Sequence, residues 1–104
     1  VRGEQISEVE ENETSLPNDF KLEQNYPNPF NPLTTLSFSI PVEGNVALKI
    51  FNVIGQEIEV LVNENLSAVS HSFQWNAENQ SSGIYFYKLI TDSFTEMRKM
   101  VLLK

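Results

Sequence analysis

Leu36-Ser-Phe-Ser-Ile-Pro-Val-Glu-Gly-Asn-Val-Ala-Leu-Lys-Ile50 decides the fold class. Leu36, Phe38 and Ile40 alternate with Ser37 and Ser39, and Val46, Leu48 and Ile50 alternate with Ala47 and Lys49. A period of two places each apolar set on one face of an extended strand. Glu43-Gly44-Asn45 between the two runs reads as the corner of a tight hairpin, with Gly44 supplying a positive φ.

The same texture spreads outward from this core. Ile58, Val60 and Val62 form a third set against Glu57 and Glu59, and Phe73 with Trp75 anchor a fourth against Ser72 and Gln74. Residues 84–90, IYFYKLI, are rich in β-branched and aromatic types, 94–103, FTEMRKMVLL, extend as a closing strand, and FKLE at 20–23 supplies a first one. Gly55 in Asn52-Val-Ile-Gly-Gln56 and Gly83 before the aromatic run mark further corners. The weakest stretch is 63–70, NENLSAVS, which has room for one helical turn. About seven short strands without a convincing helical period predict an all-β, two-layer antiparallel sandwich.

A chain of 104 residues suits one domain, and its 11% aromatic content can fill a core. The net charge is −7, but Glu4, Glu8, Glu10, Glu11, Glu13 and Asp19 against Arg2 place most of it before residue 20. Residues 1–15 lack aromatics and any sustained apolar period, and are read as an acidic linker from an upstream domain, with the folded unit at 16–104. An acidic chain without a basic cluster lacks the footprint of nucleic-acid binding. No run approaches the roughly 18 apolar residues of a membrane span, so no membrane insertion is expected. The chain opens Val1-Arg-Gly-Glu, without an initiator Met or a signal peptide, which suggests a piece of a larger protein.

Asn25-Tyr-Pro-Asn-Pro-Phe-Asn-Pro32 is the most unusual segment. Pro27, Pro29 and Pro32 lack an N–H and push their predecessors toward extended geometry, so the segment cannot be a central strand. It is expected along a sheet edge or across one end of the sandwich, with Tyr26 and Phe30 turned inward. Pro29-Phe-Asn-Pro32 also matches the PxxP pattern of polyproline ligands, a reading the edge cover makes unnecessary.

Little is available for catalysis, and the chain is read as non-enzymatic. His71 is the single histidine and lies between two serines on a strand. Glu57 and Glu59, two apart on a strand, share a face at roughly 7 Å, but exposure gives no means of splitting their pKa values. With no cysteine, no histidine pair and isolated glycines, no metal, cofactor or phosphate-loop motif is present. Trp75, Tyr85, Phe86 and Tyr87 leave a second reading open, an accessory carbohydrate-binding or adhesive module that stacks sugars on exposed rings. A domain of this size, however, needs such side chains inside.

The order of residues says more. Phe20-Lys-Leu-Glu-Gln-Asn-Tyr-Pro-Asn-Pro-Phe-Asn-Pro, Leu36-Ser-Phe, Ile50-Phe-Asn-Val-Ile-Gly-Gln-Glu-Ile, Trp75, Ser82-Gly-Ile-Tyr-Phe-Tyr-Lys-Leu and Met97-Arg-Lys-Met-Val-Leu-Leu-Lys104 follow one another. This series resembles the C-terminal sorting domain, type A, of the bacterial type IX secretion system, over residues 16–104.

The resemblance implies an immunoglobulin-like β-sandwich that follows a cargo domain. It implies recognition by shuttle proteins and the outer-membrane translocon, passage from the periplasm to the cell surface or beyond, and removal by a cell-surface C-terminal signal peptidase. Carried over by position, the SGxY block falls on Ser82, Gly83 and Tyr85, the Gly-Gln turn on Gly55 and Gln56, and the basic closing block on Lys99 and Lys104, with Met97 and Arg98 of the same strand also taken as sorting-signal residues. The last two strands should take part in recognition, while Pro27, Pro29, Phe30 and Trp75 serve turns and core. Two departures stand out: Asn76-Ala77 where the family often has Asp-Gly, and Ala68-Val69 where it often has Ala-Gly.

Overall fold

The computed structural model describes residues 19–104, so the acidic stretch 1–15 lies outside the described residues. Among the described residues seven strands follow in order: β1 (Lys21–Leu22), β2 (Leu33–Ile40), β3 (Gly44–Phe51), β4 (Glu57–Leu66), β5 (Val69–Asn76), β6 (Gly83–Ile90) and β7 (Thr95–Leu102). One sheet is ordered β1-β2-β5 and the other β4-β3-β6-β7, with every pairing antiparallel. That partition of seven strands into three and four, with β3 beside β6, is an immunoglobulin-like Greek-key arrangement.

Alternation places the core where the sequence puts it. Leu36, Phe38 and Ile40 of one sheet face Val46, Leu48 and Ile50, Tyr85, Tyr87 and Leu89, and Met100 and Leu102 of the other. Each such burial contributes roughly 1.5–3 kcal/mol of transfer free energy.

The two runs that reveal the fold class are not hairpin partners. β2 pairs with β1 and β5, β3 pairs with β4 and β6, and residues 41–43 cross from one sheet to the other. Gly44 accordingly opens β3 without a positive φ, because a crossover needs no tight corner. β3 instead forms a hairpin with β4, where Gly55 has φ +89 and donates its N–H to the Asn52 carbonyl at 3.0 Å. The Asn52 side chain closes this turn by accepting from Ile54 N at 3.1 Å and Gln56 N at 2.9 Å.

Four further expectations are corrected. Residues 63–70 form no helical turn, since β4 runs to Leu66 and β5 starts at Val69. In β4 the strict alternation fails, because register shifts opposite β3 leave Ile58 and Leu61 without partners. Ile58, Leu61 and Val62 therefore pack on the core and Val60 is exposed. The same irregularity separates Glu57, which meets Lys49 at 3.3 Å, from Glu59, which accepts from Trp75 Nε1 at 2.8 Å. Finally, Phe30 is buried as expected, but Tyr26 is 80% exposed.

Val69 is the one described non-glycine residue with positive φ, at 86°. It occupies the position where the sorting-domain pattern often has glycine. A β-branched residue there costs about 1–2 kcal/mol in backbone strain. Val69→Gly should therefore raise stability by a few tenths of a kcal/mol up to about 1 kcal/mol after its lost packing and glycine's larger unfolded-state entropy are deducted, a rise in melting temperature of a few degrees at most. A lower melting temperature in that variant would show that its packing outweighs the strain.

Candidate functional site

The residues singled out by sequence converge on β6, β7 and the turn before them. β7 pairs with β6 from Gly83↔Leu102 to Ile90↔Thr95. Alternation sends Met100 and Leu102 into the core, while Met97, 52% exposed, and Lys99 are left open to solvent. On the outer face Lys88 lies opposite Met97 and Phe86 opposite Lys99, with Phe51 next to Phe86 on β3. Phe51, Val53, Gly55, Phe86, Lys88 and Met97 line a shallow depression there. Arg98 turns the other way: its Nε donates to the Leu22 carbonyl at 2.7 Å and Nη2 meets Glu96 at 3.4 Å.

Ser82, Gly83 and Tyr85 form a corner. The Tyr85 hydroxyl donates back to the Ser81 carbonyl at 2.6 Å, four residues upstream, and Gly83 has φ +153 between them. This is the tyrosine corner of immunoglobulin-like sandwiches, which fixes the entry of the sixth strand. Lys104 is tied to the same turn, through its backbone N to Ser82 Oγ at 2.9 Å and its Nζ to the Glu78 carbonyl at 2.6 Å. The Tyr85 ring stacks edge-on against Trp75 at 5.5 Å, and Trp75 leans on Phe30 at 5.8 Å.

The proline segment binds the outer edge of β7. Gln24 Nε2 donates to the Lys99 carbonyl at 2.8 Å, and Asn28 Oδ1 accepts from Val101 N at 2.9 Å. Phe30 N donates to the Val101 carbonyl and Leu103 N to the Phe30 carbonyl, both at 3.0 Å. Pro27 and Pro29 have no N–H to give, so neighbouring side chains supply part of the pairing. Asn25, buried among these residues, holds the strap's shape through Nδ2 to Thr34 Oγ1 at 2.9 Å and to the Pro27 carbonyl at 3.1 Å.

Sequence reasoning missed Gln24, Asn25, Asn28 and Tyr87. Tyr87 is buried, accepts from Asn25 N at 2.8 Å and donates to the Glu23 carbonyl, joining the strap to the four-stranded sheet. The signal available was the run of amide side chains around the prolines, which can donate, as Gln24 does, or accept, as Asn28 does, where the proline backbone cannot pair regularly.

The alternatives fare differently. Trp75, Tyr85 and Tyr87 are all core side chains, leaving only Phe86 of that aromatic set on a surface for sugar stacking. His71 Nε2 bonds the Ser67 carbonyl at 2.8 Å, and its ring packs on Phe38 at 5.6 Å. Among the described residues no group of three or more His, Cys, Asp or Glu is placed to hold a metal, and no helix is long and apolar enough to cross a membrane.

No curated protein and no solved structure matches the chain. The family model described as secretion system C-terminal sorting domain matches residues 24–103, from the strap that binds the edge of β7 to the end of that strand. The chain belongs to this family of type IX secretion C-terminal sorting domains.

Proposed function

We propose that the domain carries a preceding cargo protein from the periplasm through the type IX outer-membrane translocon, and that the address is read on the outer face of β6 and β7. After export, a cell-surface peptidase removes the domain. The observation supporting this location is the division of labour within the last strand. Met100 and Leu102 are consumed by the core and Lys104 by the tyrosine-corner turn, whereas Met97 and Lys99 stand exposed beside Phe86 and Lys88. An exposed apolar residue flanked by cations without an acidic partner among the described residues has no folding role of comparable size. The SGxY residues then serve sorting indirectly, by positioning β6 against β7.

Fusing residues 16–104 behind a periplasmic reporter in a host with the type IX system should place the reporter outside the cell. Retention in the periplasm would refute the proposal. Removing Met97–Lys104 is a poor test of the address alone, since it strips Met100 and Leu102 from the core. The sharper variant is Met97→Asp with Lys99→Glu, which changes the outer face only. Export should fall at least tenfold with the melting temperature held within a few degrees, and undiminished export would move the address off this face.

A further inference from the structure

The hydrogen bonds along β7 divide its outer edge into a closed and an open half. Lys99 O, Val101 N, Val101 O and Leu103 N all point away from β6 and are all taken by the strap. Backbone direction in an antiparallel strand alternates, so the N–H and C=O of Met97 and the N–H of Lys99 point the same way. Among the described residues none of these three groups has a partner. The strap closes 99–103 and stops short of 95–99.

Resting on the sorting reading above, we propose that this open half is where an extended segment of the secretion machinery adds to the four-stranded sheet as a strand beside Thr95–Lys99. The occupant is an acidic and apolar extended segment. Its backbone would pair with Met97 and Lys99, since another strand meets outward N–H and C=O groups at this spacing. Its side chains on the outer face would meet Met97 and Lys99, with Phe86 and Lys88 one strand further in. Among the described residues neither Lys88 nor Lys99 has an acidic partner within salt-bridge distance, although the chain as a whole is acidic, so these cations are available to a complementary segment. The opposite edge, β4, is interrupted by two register shifts and carries Glu57, Glu59 and Glu64, features that discourage a regular acidic strand there.

The test separates the backbone from the side chain. Met97→Val and Met97→Pro remove the same thioether, but only proline removes the outward N–H, and proline is tolerated on an edge strand whose N–H faces solvent. In the full chain fused to a periplasmic reporter, Met97→Pro should export at least tenfold less than Met97→Val, whatever Met97→Val itself loses against the original, and Lys99→Pro should fall equally far below Lys99→Val. Folded Met97→Pro and Lys99→Pro fusions that export as well as Met97→Val and Lys99→Val respectively would overturn strand addition while leaving the sorting reading intact. An unsubstituted fusion retained in the periplasm would overturn both. Native-state hydrogen exchange of the unsubstituted protein decides independently of any variant. The Met97 and Lys99 amides should exchange far faster than those of Arg98 and Met100. Equal protection would show the edge already paired, with Lys99 acting only as a guard against aggregation.

Discussion

Trp75→Ala should lower the unfolding free energy by about 3–5 kcal/mol, the usual cost of emptying a large aromatic site in a core. Trp75 is fully buried at the end of β5 and touches both halves of the machinery around β7. On one side its ring meets Phe30, the anchor of the strap, and on the other Tyr85, the corner residue of β6. Its indole N–H also ends on Glu59 of β4, tying the two sheets at their far edge. Against a total of about 5–15 kcal/mol for a domain, such a loss is a large fraction of all stability. Urea unfolding followed by circular dichroism measures it, and a loss below about 1 kcal/mol would mean that the site collapses around the cavity.

Tyr87→Phe should cost about 2–3 kcal/mol, because it strands the Asn25 N–H and the Glu23 carbonyl without their shared hydroxyl. The ring volume is kept, so the effect isolates the strap's attachment from core packing. Burial pushes the Tyr87 hydroxyl up to about 12, against the opposing pull of the Asn25 N–H and the Arg98 guanidinium. The sign of the resulting pH dependence follows from proton counting. Above pH 10 the unfolded chain releases this proton while the folded chain keeps it, so unfolding is favoured as pH rises. The stabilisation is present in full below pH 10 and is lost between there and about 12. The slope reaches at most about 1.4 kcal/mol per pH unit. In Tyr87→Phe this part of the decline should vanish, which paired unfolding curves at pH 9 to 11 would reveal. Parallel curves for the two proteins would place the alkaline loss elsewhere.

Both changes loosen the strap over β7 without touching the exposed face, and the strap was the least legible part of the sequence. Its prolines announce an edge, and Phe30 announces a plug, but nothing local tells which edge is covered. Gln24 and Asn28 find Lys99 and Val101 across 75 and 73 residues of chain. Tyr26, equal to Phe30 in apolar promise, remains in solvent because its backbone bridges to Thr35 and so turns its ring away from the sandwich. The tyrosine corner was half visible: Ser82, Gly83 and Tyr85 could be named as a turn and a core aromatic, whereas the anchoring of Lys104 to that turn could not.

The sequence by itself determined the fold class, the strands and the core, because period-two alternation is a local property and burial follows it directly. It also determined the family, through the order of its blocks. Only the tertiary structure decided that the runs at 36–40 and 46–50 belong to opposite sheets, that register shifts turn Val60 outward, and that β7 is half closed and half open along its edge. Strand pairing joins residues distant in sequence, and backbone groups, which carry no residue identity, make its bonds. Which of them remain free is therefore written in the geometry alone.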